Sequence, residues 1–374
     1  MALDPDKYRL SETTHQATFE QDIKPDLFAG AKPSDQPVAV IFGGQPGAGK
    51  SAAVDAAVRD FELRGGAVQI IGDDLRSYHP QYARLMESDD KTAAFYTDRD
   101  TGKWVEKAIA EAGAQRVNIV IEGTMRDGNK VADTMQSLRA AGYEIDARVL
   151  AVNERFSQQG IFQRYENQKA DRGTGRMTTP EAHNAAFDGL PVTVERIERE
   201  KLADRMTIYR RGGEPIYTNE LAAGAWVNPP EGRAVLEAER SRPMTLAERH
   251  RYAEGFDRLA EMVALPERKA SAAEVATIND LQQSARRELA ADVFRQVPPT
   301  TAVKQHPELA PAYAYVRATE AKAEADGLNE QQRGIVMARV RDNVAARIEQ
   351  GDIPQVQIRE ERQISVDKPR DPER

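Results

Sequence analysis

The octet Gly44-Gln45-Pro46-Gly47-Ala48-Gly49-Lys50-Ser51 is a complete GxxxxGK[ST] match, and its residue types specify a grip on a triphosphate. Glycines let main-chain N–H groups curl round phosphate oxygens with no Cβ in the way. The helix that follows turns its positive N-terminal end on the same anion. Lys50 can reach the β- and γ-phosphates, and the Ser51 hydroxyl is a ligand for Mg2+. An apolar run before the octet and a helical pattern after it supply the context that an accidental glycine-rich turn would lack.

A phosphate cradle does not choose between kinases, GTPases and motor ATPases, so groups on the acceptor side must decide. The second apolar run ends in Ile71-Gly72-Asp73-Asp74-Leu75-Arg76. A carboxylate there is placed to orient or deprotonate an attacking hydroxyl, because ligands of an open parallel sheet bind beyond the carboxyl ends of its strands. The plainer reading is that Asp73 and Asp74 cap the next helix; one can act while the other caps. The third run ends in Glu122-Gly123-Thr124-Met125-Arg126. Glu122 would hold a Mg2+-bound water or an acceptor group, or else serve as a buried structural carboxylate, and Arg126 would bind substrate phosphate.

Further on, Gln163-Arg164-Tyr165-Glu166 is followed by Arg172-Gly173-Thr174-Gly175-Arg176-Met177-Thr178-Thr179-Pro180. A helix leading into an Arg-, Gly- and Thr-rich loop reads as a lid that brings guanidinium groups over the nucleotide, where their planar fork neutralises developing charge. The five histidines show no close metal-ligand spacing and read as structural or surface residues. GxSxG and HExxH are both missing from the chain, which leaves hydrolase readings without support.

The elements that must position these groups are four short, almost continuous apolar runs: 38–42, 68–71, 117–121 and 147–152. Such runs fit strands buried on both faces of a parallel sheet. Helical periodicity fills 51–64, 104–114 and 130–141, with glycines at the expected C-termini. The pattern predicts right-handed βαβ units and an α/β fold, a doubly wound, mostly parallel sheet of P-loop kinase type. The stretches 206–210 and 214–217, around Gly212-Gly213, read as an edge hairpin.

The texture changes at Asn228-Pro229-Pro230, after which no strand signal remains. Helices are expected over 245–265, 272–296, 310–325 and 329–350, one of them opened by a Ser271/Glu274 capping box. The expected organisation is a kinase-type domain over 1–228, an all-helical C-terminal region over 229–351, and a charged, proline-containing tail over 352–374 that reads as disordered. The 374 residues are 40% hydrophobic and 30% charged, a globular composition with a formal net charge of -8. The acidic total argues against a dedicated nucleic-acid partner. Zero cysteines exclude disulfides and thiol chemistry, and no run approaches the ~20 apolar residues of a membrane span. A cytoplasmic location, without membrane attachment, is the expectation.

These residues, in this order, resemble the zeta toxin family of P-loop kinases over roughly 8–226. The likeness runs through Tyr8-Arg9-Leu10-Ser11, the loop 43–51, Asp73-Asp74-Leu75-Arg76 with His79-Pro80, Glu122-Gly123-Thr124 with Arg126, Arg164-Tyr165-Glu166, and Thr179-Pro180-Glu181-Ala182-His183. It implies a bacterial toxin that uses ATP and Mg2+ to phosphorylate a sugar hydroxyl of UDP-N-acetylglucosamine, with a helical antitoxin as partner. Carried over by position, Lys50 and Ser51 would hold ATP and Mg2+, and Asp73 would be the general base. Glu106, Thr124 and Arg126 would bind the nucleotide sugar, and Arg164 and Arg176 would clamp phosphates. Two departures stand out. Leu75 replaces a bulkier aromatic of the family, and the loop before Pro180 is one residue longer, so Arg172 could take the role of Arg176.

Rival readings remain at this level. The acceptor could be another nucleotide or a dinucleotide, or the chain could be a nucleotide-gated ATPase or binding module working through its helical region. That region could equally be a built-in inhibitor, a delivery segment or an antitoxin-docking surface.

Overall fold

A computed structural model of the chain describes residues 4–356. The expected disordered tail lies almost wholly outside the described residues. Seven strands form one sheet in the order β2-β3-β1-β4-β5-β6-β7: β1 (Val38–Gly43), β2 (Val68–Ile71), β3 (Ile119–Glu122), β4 (Glu144–Ala151), β5 (Arg205–Arg210), β6 (Pro215–Ala222) and β7 (Ala225–Trp226). The first five are parallel, and β6 and β7 are antiparallel additions at one edge. All six residues of β1 are buried, which is why its sequence is continuously apolar rather than alternating.

Apolar side chains pack on both faces of the sheet. On one, Ile41, Ile70, Ile119 and Ile121 meet Trp104 from the Ala93–Gln115 helix and Leu190, Val194 and Ile197 from the Pro180–Glu200 helix. On the other, Val38, Val40, Phe42, Val120 and Leu150 meet Val54, Ala57 and Phe61, so the helix after the P-loop covers that side. Strand register then decides where the chain leaves the sheet. Phe42 and Ile71 both pair with Glu122, so the segments starting at Gly44, Gly72 and Gly123 emerge side by side at one edge.

The described chain divides into two compact units. The first runs through Pro243 and takes in Asp257–Val275; the second holds Met244–Phe256 and the described residues from Ala276 on. The composition shift at 228 therefore precedes the Gly232–Ser241 helix, which counts with the sheet. The second unit is helical throughout its described length, built from parts of Leu246–Ala264 and Ala272–Gln296 together with Pro299–Gln305, Ala310–Ala325 and Glu330–Glu349. Its charged pairs include Arg249 with Asp292 at 2.9 Å, and Asn329 and Gln332 form a capping box. No described helix is long and apolar enough to cross a membrane.

Candidate functional site

The loop from Gly44 to Gly49 carries β1 into the Lys50–Arg59 helix, with Gly47 (φ 78°) and Gly49 (φ 86°) in the left-handed region. No side chain among the described residues caps this helix N-terminus, so its first N–H groups are left for an anion. Lys50 is buried, and its Nζ donates to the Gly44 carbonyl (2.9 Å) and the Gln45 carbonyl (3.3 Å), with Glu122 Oε1 at 3.6 Å. Burial pushes the Lys50 ammonium pKa down, Glu122 works against that, and the charge of Arg164 adds to it. Ser51 stands exposed at the helix start.

Behind the loop, Gln45 is fully buried. Its amide nitrogen donates to the Val152 carbonyl (2.8 Å) and Ser157 Oγ (3.2 Å), and its oxygen accepts from Arg240 Nη2 (2.7 Å). His183 Nε2 lies 2.8 Å from the same Ser157 hydroxyl, so this histidine belongs to the support of the P-loop. The loop also touches the Glu154–Arg172 helix through bare backbone. A Cβ on Gly160 would fall 2.2 Å from the Gly47 carbonyl oxygen, and one on Gly47 would fall 1.9 Å from the Ser157 carbonyl oxygen. Gly160→Ala should push the loop off the helix and weaken ATP binding by roughly one to two orders of magnitude, since small displacements of a binding cradle are costly. Calorimetric titration reads this directly, and unchanged affinity would mean the loop does not depend on the contact.

Asp73 lies in the first turn of the short Gly72–Leu75 helix, and neither it nor Asp74 makes a side-chain cap there. Three guanidinium groups surround its carboxylate instead. Arg76 Nε lies 3.2 Å from Oδ1, Arg164 Nη1 3.9 Å from Oδ2, and Arg176 pairs closely with Oδ2. Burial opposes ionisation of Asp73, but Arg176, Arg76 and Arg164 outweigh it and hold the carboxyl below its usual range. Burial pushes Asp74 the other way, helped by the charge of Asp73. Burial and the neighbouring Arg176 push Arg164 down to about 10, which leaves it charged at neutral pH.

The network continues outward. Arg76 donates to the Ala94 carbonyl (2.8 Å), to Thr97 Oγ1 (3.1 Å) and to Asp98 Oδ1 (2.8 Å), while Arg126 lies 3.7 Å from Asp98 Oδ2. Met125, buried at φ 51°, holds the turn after β3 in the left-handed region between Thr124 and Arg126. Five cations (Lys50, Arg76, Arg126, Arg164, Arg176) thus face three carboxylates (Asp73, Asp98, Glu122), a positive field in a chain that is acidic overall.

Among residues singled out from the sequence, Lys50, Asp73, Glu122, Arg126, Arg164 and Arg176 come together in this network. Arg172 is exposed at the end of its helix and makes no ion pair with Asp73, whereas Arg176 does. Glu106 lies on the Ala93–Gln115 helix, mostly exposed, with Lys130 Nζ 3.4 Å away, and no ion pair among the described residues joins it to Asp73. Leu75 is buried in the core. Asp98 escaped the sequence reading, and its signal would have been recognition of the helix that carries it.

A triphosphate fits these residues. The helix N-terminus is uncapped, and Arg164 Nε is a buried donor with no acceptor among the described residues. No cluster of three His, Cys, Asp or Glu among the described residues could hold a metal by itself. A Mg2+ arriving with the phosphates would find its protein ligand in the exposed Ser51 hydroxyl.

A family model described as Zeta toxin matches residues 26–222. Toxin PezT of Streptococcus pneumoniae serotype 4 is 32% identical over 195 residues, which cover 52% of this chain and 76% of that protein. Toxin zeta of Enterococcus hirae is 31% identical over 207 residues, 54% of this chain and 72% of that one. A solved structure from the PezAT chromosomal toxin–antitoxin system of Streptococcus pneumoniae superposes with a TM-score of 0.57 at 26% identity. It aligns with 69% of this chain and 100% of its own.

Proposed function

The chain belongs to the zeta toxin family, and on that premise we propose that it is an ATP-dependent kinase that phosphorylates a sugar hydroxyl of UDP-N-acetylglucosamine or a related nucleotide sugar, acting as a toxin. The observation that carries the reading is the position of Asp73. Its carboxylate shares Arg164 and Arg176 with the space in front of Lys50, where a γ-phosphate of ATP would lie.

In this reading the loop 44–51 binds the phosphates through main-chain N–H groups and Lys50. Arg164 and Arg176 are drawn from Asp73 to the γ-phosphate, so the carboxylate that they had neutralised becomes free to accept the proton of the acceptor hydroxyl. Arg76 stays with Asp73 because Asp98, Thr97 and the Ala94 carbonyl fix it from behind. Arg126, half exposed, together with Thr124 and the more distant Glu106, offers contacts to the nucleotide sugar. Ser51 would hold Mg2+, which would supply neutralising charge to the phosphates, and Glu122 lies beside Lys50. The family also points to a protein antitoxin as partner, as in the PezAT system.

Incubation with ATP, Mg2+ and a panel of nucleotide sugars, nucleotides and dinucleotides, followed by mass spectrometry, identifies the acceptor. UDP-N-acetylglucosamine heavier by one phosphoryl group is the expected product. A phosphorylated dinucleotide with the sugars untouched would overturn the substrate assignment.

A further inference from the structure

The segment after the Leu246–Ala264 helix folds back among residues of the first unit. Pro266 opens a single 3-10 turn, Pro266–Arg268, and Lys269 (φ 49°) reverses the chain into the Ser271 cap of the next helix. Arg268 makes a two-pronged pair with Glu166, Nε to Oε2 at 2.6 Å and Nη2 to Oε1 at 3.0 Å, and both side chains are more than nine-tenths buried. Nη2 also donates to Glu274 Oε1 (3.1 Å), and Glu274 in turn pairs with Lys91 (3.1 Å). Burial works against the Glu274 charge, yet Ser271, Lys91 and Arg268 hold its carboxyl down to about 2.

Glu166 is two residues from Arg164 on one helix, roughly 200° round its axis, so the two side chains leave on opposite sides. Arg164 reaches Asp73 while Glu166 is anchored from behind. The next link is the ring of Tyr165, over which the Arg268 guanidinium lies at 5.8 Å. The Tyr165 hydroxyl donates to Asp90 Oδ1 (3.0 Å), and Asp90 Oδ2 accepts from the Gly175 amide (3.0 Å) and pairs with Lys169 (3.1 Å). Gly175 sits so close to Tyr165 that a Cβ would fall 2.4 Å from the Tyr165 carbonyl oxygen. One residue on, the Arg176 amide donates to Gln168 (2.7 Å), and Arg164 donates to Thr178 (2.6 Å).

We propose that Arg268 and Asp90 are positioning residues that hold the Gly173–Thr179 loop, and so fix where Arg164 and Arg176 present their guanidinium groups. The family match ends at residue 222, so Arg268 lies outside it and adds a support drawn from the C-terminal half of the chain. The inference rests on the reading of those two arginines as triphosphate clamps.

Hydrogen exchange of residues 173–178, followed by mass spectrometry on the full chain, tests it without needing turnover. Arg268→Gln should speed exchange there about tenfold while the segments of β1 and β3 stay protected. Arg268→Lys, which keeps the charge but loses the planar fork, should give a smaller rise and covers the case in which the glutamine variant fails to fold. Val263→Ala removes buried apolar volume in the last turn of the preceding helix and should lower the melting temperature without speeding exchange at 173–178. Affinity for a fluorescent ATP analogue should fall about fivefold in Arg268→Gln, the scale of a modest coupling between sites. Unchanged exchange in both Arg268 variants, or an equal rise in Val263→Ala, overturns the proposal. Should the wild-type protein bind no triphosphate, the functional reading fails while the exchange result still decides the positioning role.

Discussion

The Asp73→Asn protein is expected to bind ATP at least as tightly as the wild type and to transfer its γ-phosphate about 10³-fold more slowly, within the range for loss of a general base. The asparagine keeps the shape of the side chain and leaves Lys50 and the loop amides in place. It also removes the anion that competes with phosphate for Arg164 and Arg176, which is why affinity should hold or rise. Calorimetry with ATP and a labelled-phosphate transfer assay read the two quantities apart. Loss of ATP binding would instead assign Asp73 to the phosphate cradle. The same geometry bears on pH. Because the arginines hold the carboxyl below its ordinary value of 3.8, Asp73 stays ionised as pH falls until that lowered value is passed. The acidic limb of kcat/KM, which reports the free enzyme, should therefore lie below pH 3.8.

The second large effect separates two arginines that the loop sequence could not rank. Arg176→Ala should lower kcat by about 10³-fold, the low end for an arginine that stabilises transferring phosphoryl charge, whereas Arg172→Ala should change it less than about threefold. Arg176 is partly buried and paired with Asp73, while Arg172 is exposed at the helix end. Arg176→Lys should recover little, because a point charge cannot reproduce the bidentate fork. Equal losses at the two positions in steady-state kinetics would show that the loop rearranges enough for either to serve.

Much of this was legible in the sequence because buried parallel strands must be apolar throughout. The runs at 38–42 and 68–71 match β1 and β2 within a residue, and the order of strands and glycines implied the crossovers. The P-loop was legible because its chemistry leaves few alternatives, and Asp73 because it follows a strand end. The Ala93–Gln115 helix was recognised only from Trp104 onward. Its first half buries Thr97, Asp100 and Thr101, polar residues that break the apolar period, and two of them find partners: Thr97 accepts from Arg76, and Asp100 accepts from the Leu10 amide. Asp98 was hidden along with that half. Arg240 and Arg268 were hidden for another reason. Each reads as a solvated charge on a polar stretch, and only the fold brings Gln45 and Glu166 to meet them. Tertiary pairing over a hundred or more residues leaves no local pattern.

A single-turnover reaction with γ-labelled ATP and UDP-N-acetylglucosamine separates phosphoryl transfer from hydrolysis, because it follows the phosphoryl group itself. For a kinase, label should leave ATP and appear on the sugar nucleotide, at a rate set by acceptor concentration and suppressed in Asp73→Asn. Label found only as inorganic phosphate, released at a rate indifferent to the acceptor and to that substitution, would contradict it.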